Sequence, residues 1–152
     1  MTKEPRGETA ERVADELEIR NIVARLAHLA DTASTEDLDD YLALLTEDAT
    51  WAVLSNASLP SQERRGHAEI RAAAAARRAE GRQGPGSAAR HFISNHVVVF
   101  EAIDTARSRC YFQVFADTLS DRPYCRAVGE YHDTFVRTPE GWKMKRREII
   151  AG

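Results

Sequence analysis

The stretch HFISNHVVVF, residues 91–100, is the most apolar strand-like run of the chain, yet it contains two histidines and an asparagine. Because the side chains of a β-strand alternate between two faces, His91 and Asn95 share one face. The apolar side chains expected on the opposite face are Phe92, Val98 and Phe100. A buried histidine or asparagine must find hydrogen-bond partners or cost on the order of 1–3 kcal/mol. His91 and Asn95 are therefore either a satisfied pair in the core or polar groups on the wall of a pocket.

Three more strand-like runs follow this one and fill the rest of the C-terminal half. Turn signals such as SDRP and TPEG separate them, which is typical of strands joined by short connections. The four runs span residues 89–101, 106–118, 123–137 and 141–150. This spacing predicts a sheet of long antiparallel strands.

The first half of the chain is mainly helical. Apolar residues recur at three- and four-residue steps in the first helical segment, and an alanine run marks the last. The predicted helices span residues 8–31, 34–45 and 67–81, with a weaker strand at 48–55 and a loop after it. Helices followed by long strands predict an α+β fold, with the helices packed on one face of a curved sheet.

Length and charge narrow the functional classes. The 152 residues suffice for one domain, for which we expect residues 8–152 after a flexible tail at 1–7. A net charge of −3 gives no general reason to expect nucleic acid or membrane as a partner. The polar N-terminal segment has no apolar core of the kind found in signal peptides, so we expect a cytoplasmic protein.

Asp31 closes the first predicted helix. An aspartate in the last turn is unfavourable, because the helix dipole repels negative charge there. The residue is either an exposed cap or a half-buried carboxylate that faces the sheet. In the second case it could bond one ring nitrogen of His91 and fix the tautomer, which is the carboxylate–imidazole arrangement of general base catalysis. Spacing alone does not establish the contact.

Four segments together resemble the SnoaL-like branch of the nuclear transport factor two superfamily. They are EIRNIVARLAHLAD (18–31), DDYLALLTEDATW (39–51), RHFISN (90–95) and GEYHDTFVRTPEGWKMKRREI (129–149). The resemblance implies a cone-shaped α+β barrel. In that fold three N-terminal helices pack on a curved, mostly antiparallel sheet around a hydrophobic pocket.

Within that branch the pattern is most similar to scytalone dehydratase and hexachlorocyclohexane dehydrochlorinase. Asp31 and His91 match the aspartate and histidine that pair in those lyases, and Arg147 matches a further catalytic position. The substrate-binding positions are Trp51, Phe112, Val114, Ala127 and Tyr131, which the resemblance implies, and Asn95, which shares the face of His91. The dehydrochlorinase has a lysine near its aspartate. The position of this chain that corresponds approximately to that lysine is Leu26. Scytalone dehydratase polarises a carbonyl group with tyrosine hydroxyls. In this chain Tyr131 could supply one such hydroxyl.

These residues predict a cofactor-independent lyase that takes a carbon-bound proton from a small hydrophobic cyclic substrate. No metal is expected, since the histidines form no ligand motif. One alternative is a ketosteroid-isomerase-like isomerase, polyketide cyclase or epoxide hydrolase on the same fold, for which Asp133 could be the carboxylate. Another is a non-catalytic small-molecule-binding protein, because a fold does not fix a function. The family resemblance also implies a homo-oligomer, a trimer or dimer, formed through the outer sheet face with Phe92, Val98 and Phe100.

Overall fold

Three helices and six strands make up the computed structural model of the chain, which describes residues 6–54 and 62–152. The helices are α1 (Arg6–Thr32), α2 (Leu38–Leu42) and α3 (Gly66–Ala79). The strands are β1 (Leu45–Leu54), β2 (Gln62–Arg65), β3 (Arg90–Phe100), β4 (Thr105–Ala116), β5 (Tyr124–Thr138) and β6 (Gly141–Ala151).

All six strands belong to one sheet, in the order β2-β1-β6-β5-β4-β3. Only β1 and β6 pair parallel, and every other neighbouring pair is antiparallel. The predicted α+β fold, with helices ahead of a mostly antiparallel sheet, is therefore confirmed. The sheet is open, because β2 and β3 form its two edges, so it wraps the helices without closing into a barrel.

Three boundaries differ from the sequence-based prediction. Helix α1 begins at Arg6, inside the predicted tail, whose residues 1–5 lie outside the described part of the chain. Helix α2 has five residues instead of twelve, because Ser34 and Asp37 form a hydrogen-bonded turn before it and β1 already begins at Leu45. Strand β2 lies in the segment predicted as a loop and pairs with β1.

The core lies between α1 and the inner face of the sheet. Strand β4 alternates almost without exception between buried and exposed residues, so one of its faces is fully covered. Helix α1 supplies the apolar residues Ile19, Ile22, Val23 and Leu26, all of them buried. Spacings of three and four residues place these side chains on one side of the helix, which explains why it packs flat on the strands.

A β-bulge in β3 corrects the predicted faces of that strand. The pairing with β4 shifts between Ser94 and Val97, and Asn95 adopts a left-handed backbone with φ of 51°. Asparagine tolerates this conformation better than most residues, which explains its presence in an otherwise apolar strand. The extra residue reverses the alternation beyond it.

Residues beyond the bulge therefore face the other way from the prediction. Val98 and Phe100, predicted on the outer face, pack against the core. Val97 and Val99 are 59% and 58% exposed and lie on the outer face instead. Asn95, predicted on the pocket wall, is exposed. His96, predicted to face away from His91, has a buried ring nitrogen, Nε2, with no described hydrogen-bond partner.

Candidate functional site

The inner sheet face and the helices enclose a cavity of about 390 Å³. This volume lies in the range of pockets that bind small molecules. Part of its wall is apolar, with Leu26, Ala27, Ala30, Phe112, Val114 and Ile149 among the lining residues, and polar or charged side chains line the rest. The apolar part of the wall favours a hydrophobic ligand, and the polar groups that reach the cavity decide the orientation of the ligand and the chemistry.

Asp31 and His91 meet at the edge of this cavity. Nδ1 of His91 lies 2.6 Å from Oδ1 of Asp31, and the backbone N–H of His91 donates to Oδ2 at 2.8 Å. The side chain of Asp31 is 4% exposed and that of His91 is 8% exposed, so water barely screens the contact. A carboxylate only accepts hydrogen bonds, which assigns the proton of the neutral ring to Nδ1. Because the ring borders the cavity, Nε2 is the nitrogen available to a bound molecule.

The C-terminal end of α1 is held from outside the helix, and this fixes Asp31. No basic residue lies in the last turn of α1. Arg78 of α3 instead donates to the carbonyl oxygens of Leu29 at 2.9 Å and Ala33 at 2.8 Å. The N–H of Gly84 donates to the Ala30 carbonyl oxygen at 2.9 Å. A positive charge at a helix C-terminus is favourable, and here it offsets the unfavourable position of Asp31.

Arg147 and Asp133 form a buried ion pair beside the cavity. Nε and Nη2 of Arg147 donate to the two carboxylate oxygens at 2.8 and 2.7 Å. Burial alone would lower the pKa of Arg147, but the charge and hydrogen bonds of Asp133 raise it. Arg147 lines the cavity, whereas Asp133 does not. Asp133 therefore holds the arginine in place, and both of its oxygens are already occupied.

Two aromatic rings lie close to this arginine. The guanidinium carbon lies 3.8 Å from the ring centroid of Tyr131 and 4.9 Å from that of Trp51. Tyr131 stacks in turn on Phe112, with centroids 4.4 Å apart. Gly129 makes room for this stack, since a Cβ there would stand 2.8 Å from the Phe112 ring and 2.2 Å from the Ile150 carbonyl oxygen. The cavity thus has an aromatic wall, against which the guanidinium of Arg147 is held.

Two phenol groups also line the cavity. Burial raises the pKa of Tyr131 and of Tyr41, although Arg147 acts against it at Tyr131 and Arg77 at Tyr41. Both hydroxyls therefore stay protonated at neutral pH and can donate. No hydrogen bond joins either hydroxyl to another residue in the described ranges. Tyr41 was not predicted as a site residue, because in the sequence it fits the apolar face of α2. The polar hydroxyl group on that apolar face was the signal that could have identified it.

The structure brings most of the predicted site residues together. Those that line the cavity are Trp51, His91, Phe112, Val114, Tyr131 and Arg147. Asp31 lies behind His91 and supports it. Asn95 is outside because of the bulge, and Ala127 is exposed near the start of β5 and does not line the cavity, although it pairs with Val114. Within residues 6–54 and 62–152, no cluster of His, Cys, Asp and Glu could hold a metal ion.

The sequence comparison identifies the family. Residues 11–148 match the model of the SnoaL-like domain, so the chain belongs to the SnoaL-like domain family. The fold of this family is one that binds small molecules. None of the curated proteins is similar enough in sequence to count as a relative. No helix in the described part of the chain is both long and apolar enough to cross a membrane.

Solved structures agree with this assignment. A nuclear-transport-factor-two-like protein with a cystatin-like fold from Novosphingobium aromaticivorans is 30% identical, with a TM-score of 0.73 over 95% of this chain and 86% of that one. A candidate aromatic ring hydroxylase from the same organism is 27% identical, with a TM-score of 0.69 over 91% and 90%. A candidate scytalone dehydratase, also from that organism, is 20% identical, with a TM-score of 0.67 over 95% and 88%. At that identity the last similarity shows the fold alone.

Proposed function

We propose that the protein is a cofactor-independent lyase in which His91 removes a carbon-bound proton from a small hydrophobic ring compound. The observation that carries this proposal is the histidine at the cavity wall, with Nδ1 bonded to the buried Asp31 and Nε2 left for a ligand. A positioned base of this kind contributes about 10²- to 10⁴-fold to a proton transfer.

In the proposed reaction, Nε2 of His91 takes a proton from a carbon next to a carbonyl group. The electron pair of the broken C–H bond forms a carbon–carbon double bond, and the leaving group departs with its own bonding pair. A departing hydroxide takes the proton from the imidazolium and leaves as water. The carboxylate of Asp31 stabilises the imidazolium while the ring carries the proton.

The remaining polar groups suit the substrate's carbonyl oxygen. Negative charge collects on that oxygen as the proton leaves, and hydrogen-bond donors in a dry site stabilise it. Tyr41 and Tyr131 have protonated hydroxyls at the cavity, and the guanidinium of Arg147, which Asp133 holds in place, is a further hydrogen-bond donor there. The aromatic wall of Trp51, Tyr131 and Phe112 favours a flat, ring-containing substrate.

An isomerase or cyclase would use the same base and differ only in where the electron pair goes. Asp133 is a poor candidate for such a base, because Arg147 occupies both of its oxygens and it does not border the cavity. The non-catalytic alternative is that Asp31 and His91 are a structural pair in a small-molecule-binding protein. The bond from the His91 backbone N–H to Asp31 favours this reading, since it would serve the fold alone.

A substrate screen with three variants tests the proposal. The purified protein is incubated with cyclic β-hydroxy ketones and halogenated rings, and mass spectrometry follows the loss of water or hydrogen halide. We expect His91→Ala and Asp31→Asn to lower turnover by about 100-fold or more while binding changes little. His28→Ala, on the exposed side of α1 one turn before Asp31, is the matched control and should keep full turnover.

The opposite result supports a structural pair. In that case His91→Ala would lower the melting temperature and leave any turnover of the folded fraction unchanged.

The proposal includes a homo-oligomer formed through the outer sheet face. Phe92, Val97 and Val99 are 54%, 59% and 58% exposed there, and large apolar side chains in one patch favour contact with another copy. Light scattering after size exclusion measures the mass. A dimer or trimer that becomes a monomer in Val97→Asp would support the interface, and a monomeric parent protein would refute it.

A further inference from the structure

Two arginines at the mouth of the cavity have no carboxylate partner among the described residues. Arg64 of β2 donates to the Glu63 carbonyl oxygen at 3.2 Å and lies 3.5 Å from Oε1 of Gln62. Arg77 of α3 donates through Nε to Oε1 of Gln83 at 3.0 Å. All of these acceptors are neutral. The segment 55–61, which the structure does not describe, contains no acidic residue that could pair with them.

The other arginines of the cavity are neutralised, and this makes the two stand out. Arg147 is paired with Asp133, and Arg82 with Glu80 at 3.0 Å. The mouth therefore carries two positive charges in excess. Both arginines are only partly exposed, so water hydrates their positive charges incompletely. Unpaired cations beside an apolar cavity favour an anionic ligand group, because such a group gains charge-assisted hydrogen bonds.

Arg64 and Arg77 border the same small recess. It has a volume of about 60 Å³ and shares Trp51 and Val53 with the main cavity, whose volume is about 390 Å³. This size suits a substituent, and the ring must then occupy the main cavity. Because Gln83 occupies Nε of Arg77, the two terminal nitrogens remain for a ligand, and a guanidinium matches the two oxygens of a carboxylate.

The charge of Arg77 also acts inside the cavity. Burial raises the pKa of Tyr41, and Arg77 is the largest of the charges that act against this effect. The guanidinium is thus close enough to the cavity interior to influence a group that lines it.

We propose that Arg64 and Arg77 bind a carboxylate of the ligand, so that the substrate is a hydrophobic ring compound that bears a carboxylate. The inference rests on the proposed lyase function for its chemistry, but the binding itself needs no reaction. A carboxylate bound in the recess anchors the ring in the main cavity, which His91 and the two tyrosines line. Arg64 and Arg77 are then specificity residues, distinct from the base.

A pair of probes that differ in charge but hardly in shape tests the inference. Calorimetry measures the binding of 2-naphthoate and of 2-naphthamide to the whole chain. We expect the parent protein to bind the naphthoate at least about tenfold more tightly. Arg64→Gln and Arg77→Gln should each weaken naphthoate binding about five- to tenfold and naphthamide binding less than twofold.

Arg65→Gln is the matched control. Arg65 follows Arg64 on the opposite face of β2, pairs with Glu63 and does not border the cavity. The control should bind both probes as the parent protein does.

The outcomes separate this inference from the proposed function. Equal binding of the two probes, or an equal loss of naphthoate binding in Arg65→Gln, overturns the carboxylate site and leaves the lyase proposal standing. Binding of neither probe overturns the carboxylate site and also removes support for an aromatic ligand. Selective naphthoate binding that depends on Arg64 and Arg77 supports the site even if the substrate screen detects no turnover.

Discussion

Replacing Asp133 with asparagine removes the charge that neutralises Arg147 while keeping the shape of the side chain. Arg147 is 3% exposed, so water cannot replace the lost partner. Breaking a buried ion pair from one side costs about 3–5 kcal/mol, because a charge is left uncompensated. In a protein of this size each kcal/mol lowers the melting temperature by about 2–4 °C, so Asp133→Asn should lower it by about 6–20 °C.

Removing both charges should cost much less than removing one. The double variant Asp133→Leu/Arg147→Met no longer pays for taking two charges out of water, and such replacements are often neutral or stabilising. It loses the contacts of the guanidinium with Tyr131 and Trp51, each worth about 0.5–2 kcal/mol. We therefore expect the double variant to be more stable than either single variant.

Urea denaturation of the parent protein and these variants measures the free energy of unfolding. Asp39→Asn is the control, because Asp39 pairs with Arg71 on the surface, where its side chain is 84% exposed. Its cost should be about 0–1 kcal/mol. If Asp133→Asn costs no more than this control, Arg147 does not depend on Asp133 and the reasoning fails. If Asp133→Asn abolishes turnover without loss of stability, Asp133 is itself the base.

Three further predictions test separate parts of the structure. Burial and the charge of Arg20 lower the pKa of His96, so the unfolded chain takes up this proton first, near pH 6.5. The contribution of the neutral His96 to the free energy of unfolding is therefore present above pH 6.5 and is lost as the pH falls. Urea denaturation measures the free energy of unfolding at pH 7 and at pH 5, and the decrease between the two should be smaller in His96→Gln than in the parent protein. Burial raises the pKa of the Cys110 thiol to about 12, so iodoacetamide at pH 8 should alkylate the exposed Cys125 alone, as read by mass spectrometry; two adducts on the folded protein would contradict this. Gly129→Ala should lower the melting temperature by several degrees, because the new methyl group meets the Ile150 carbonyl oxygen at 2.2 Å, whereas Gly152→Ala, with 3.6 Å to its nearest neighbour, should change little; equal melting temperatures would contradict the close packing at Gly129.

The order of the elements could be predicted from the sequence because helix and strand periods differ clearly. The apolar steps in α1 and the alternation in β4 each need only local information. Strand β2 escaped prediction for the opposite reason. Its four residues, Gln62–Arg65, are all polar, and only the pairing with β1 makes them a strand.

The bulge limited the prediction of the site. Alternation is reliable only while no residue is inserted, and one extra residue moved every later side chain of β3 to the other face. Asn95 was a signal for the bulge, since asparagine often adopts positive φ, but it was assigned to the pocket wall. The arginines of the mouth could not be predicted, because Arg64 and Arg77 come from elements that only the folded chain brings together.

The contact between Asp31 and His91 is a different case. Sixty residues separate them, and the residues alone offered this pairing only as one of two interpretations of Asp31, which spacing could not establish. The family resemblance then favoured the pairing, because the positions at the end of the first helix and the start of a strand match an aspartate–histidine pair in the lyases that the sequence resembles.

Hydrogen exchange at carbon tests the role of His91 most directly, because it needs neither a leaving group nor the natural substrate. A cyclic ketone that calorimetry shows to bind, with 2-tetralone as the first choice, is incubated in D₂O, and proton NMR follows deuterium uptake next to the carbonyl group. We expect the parent protein to accelerate this uptake, and His91→Ala and Asp31→Asn each to reduce the acceleration by about 100-fold or more. Deuterium uptake that is equally fast in the parent protein and in His91→Ala, with the ketone bound in both, would contradict this role.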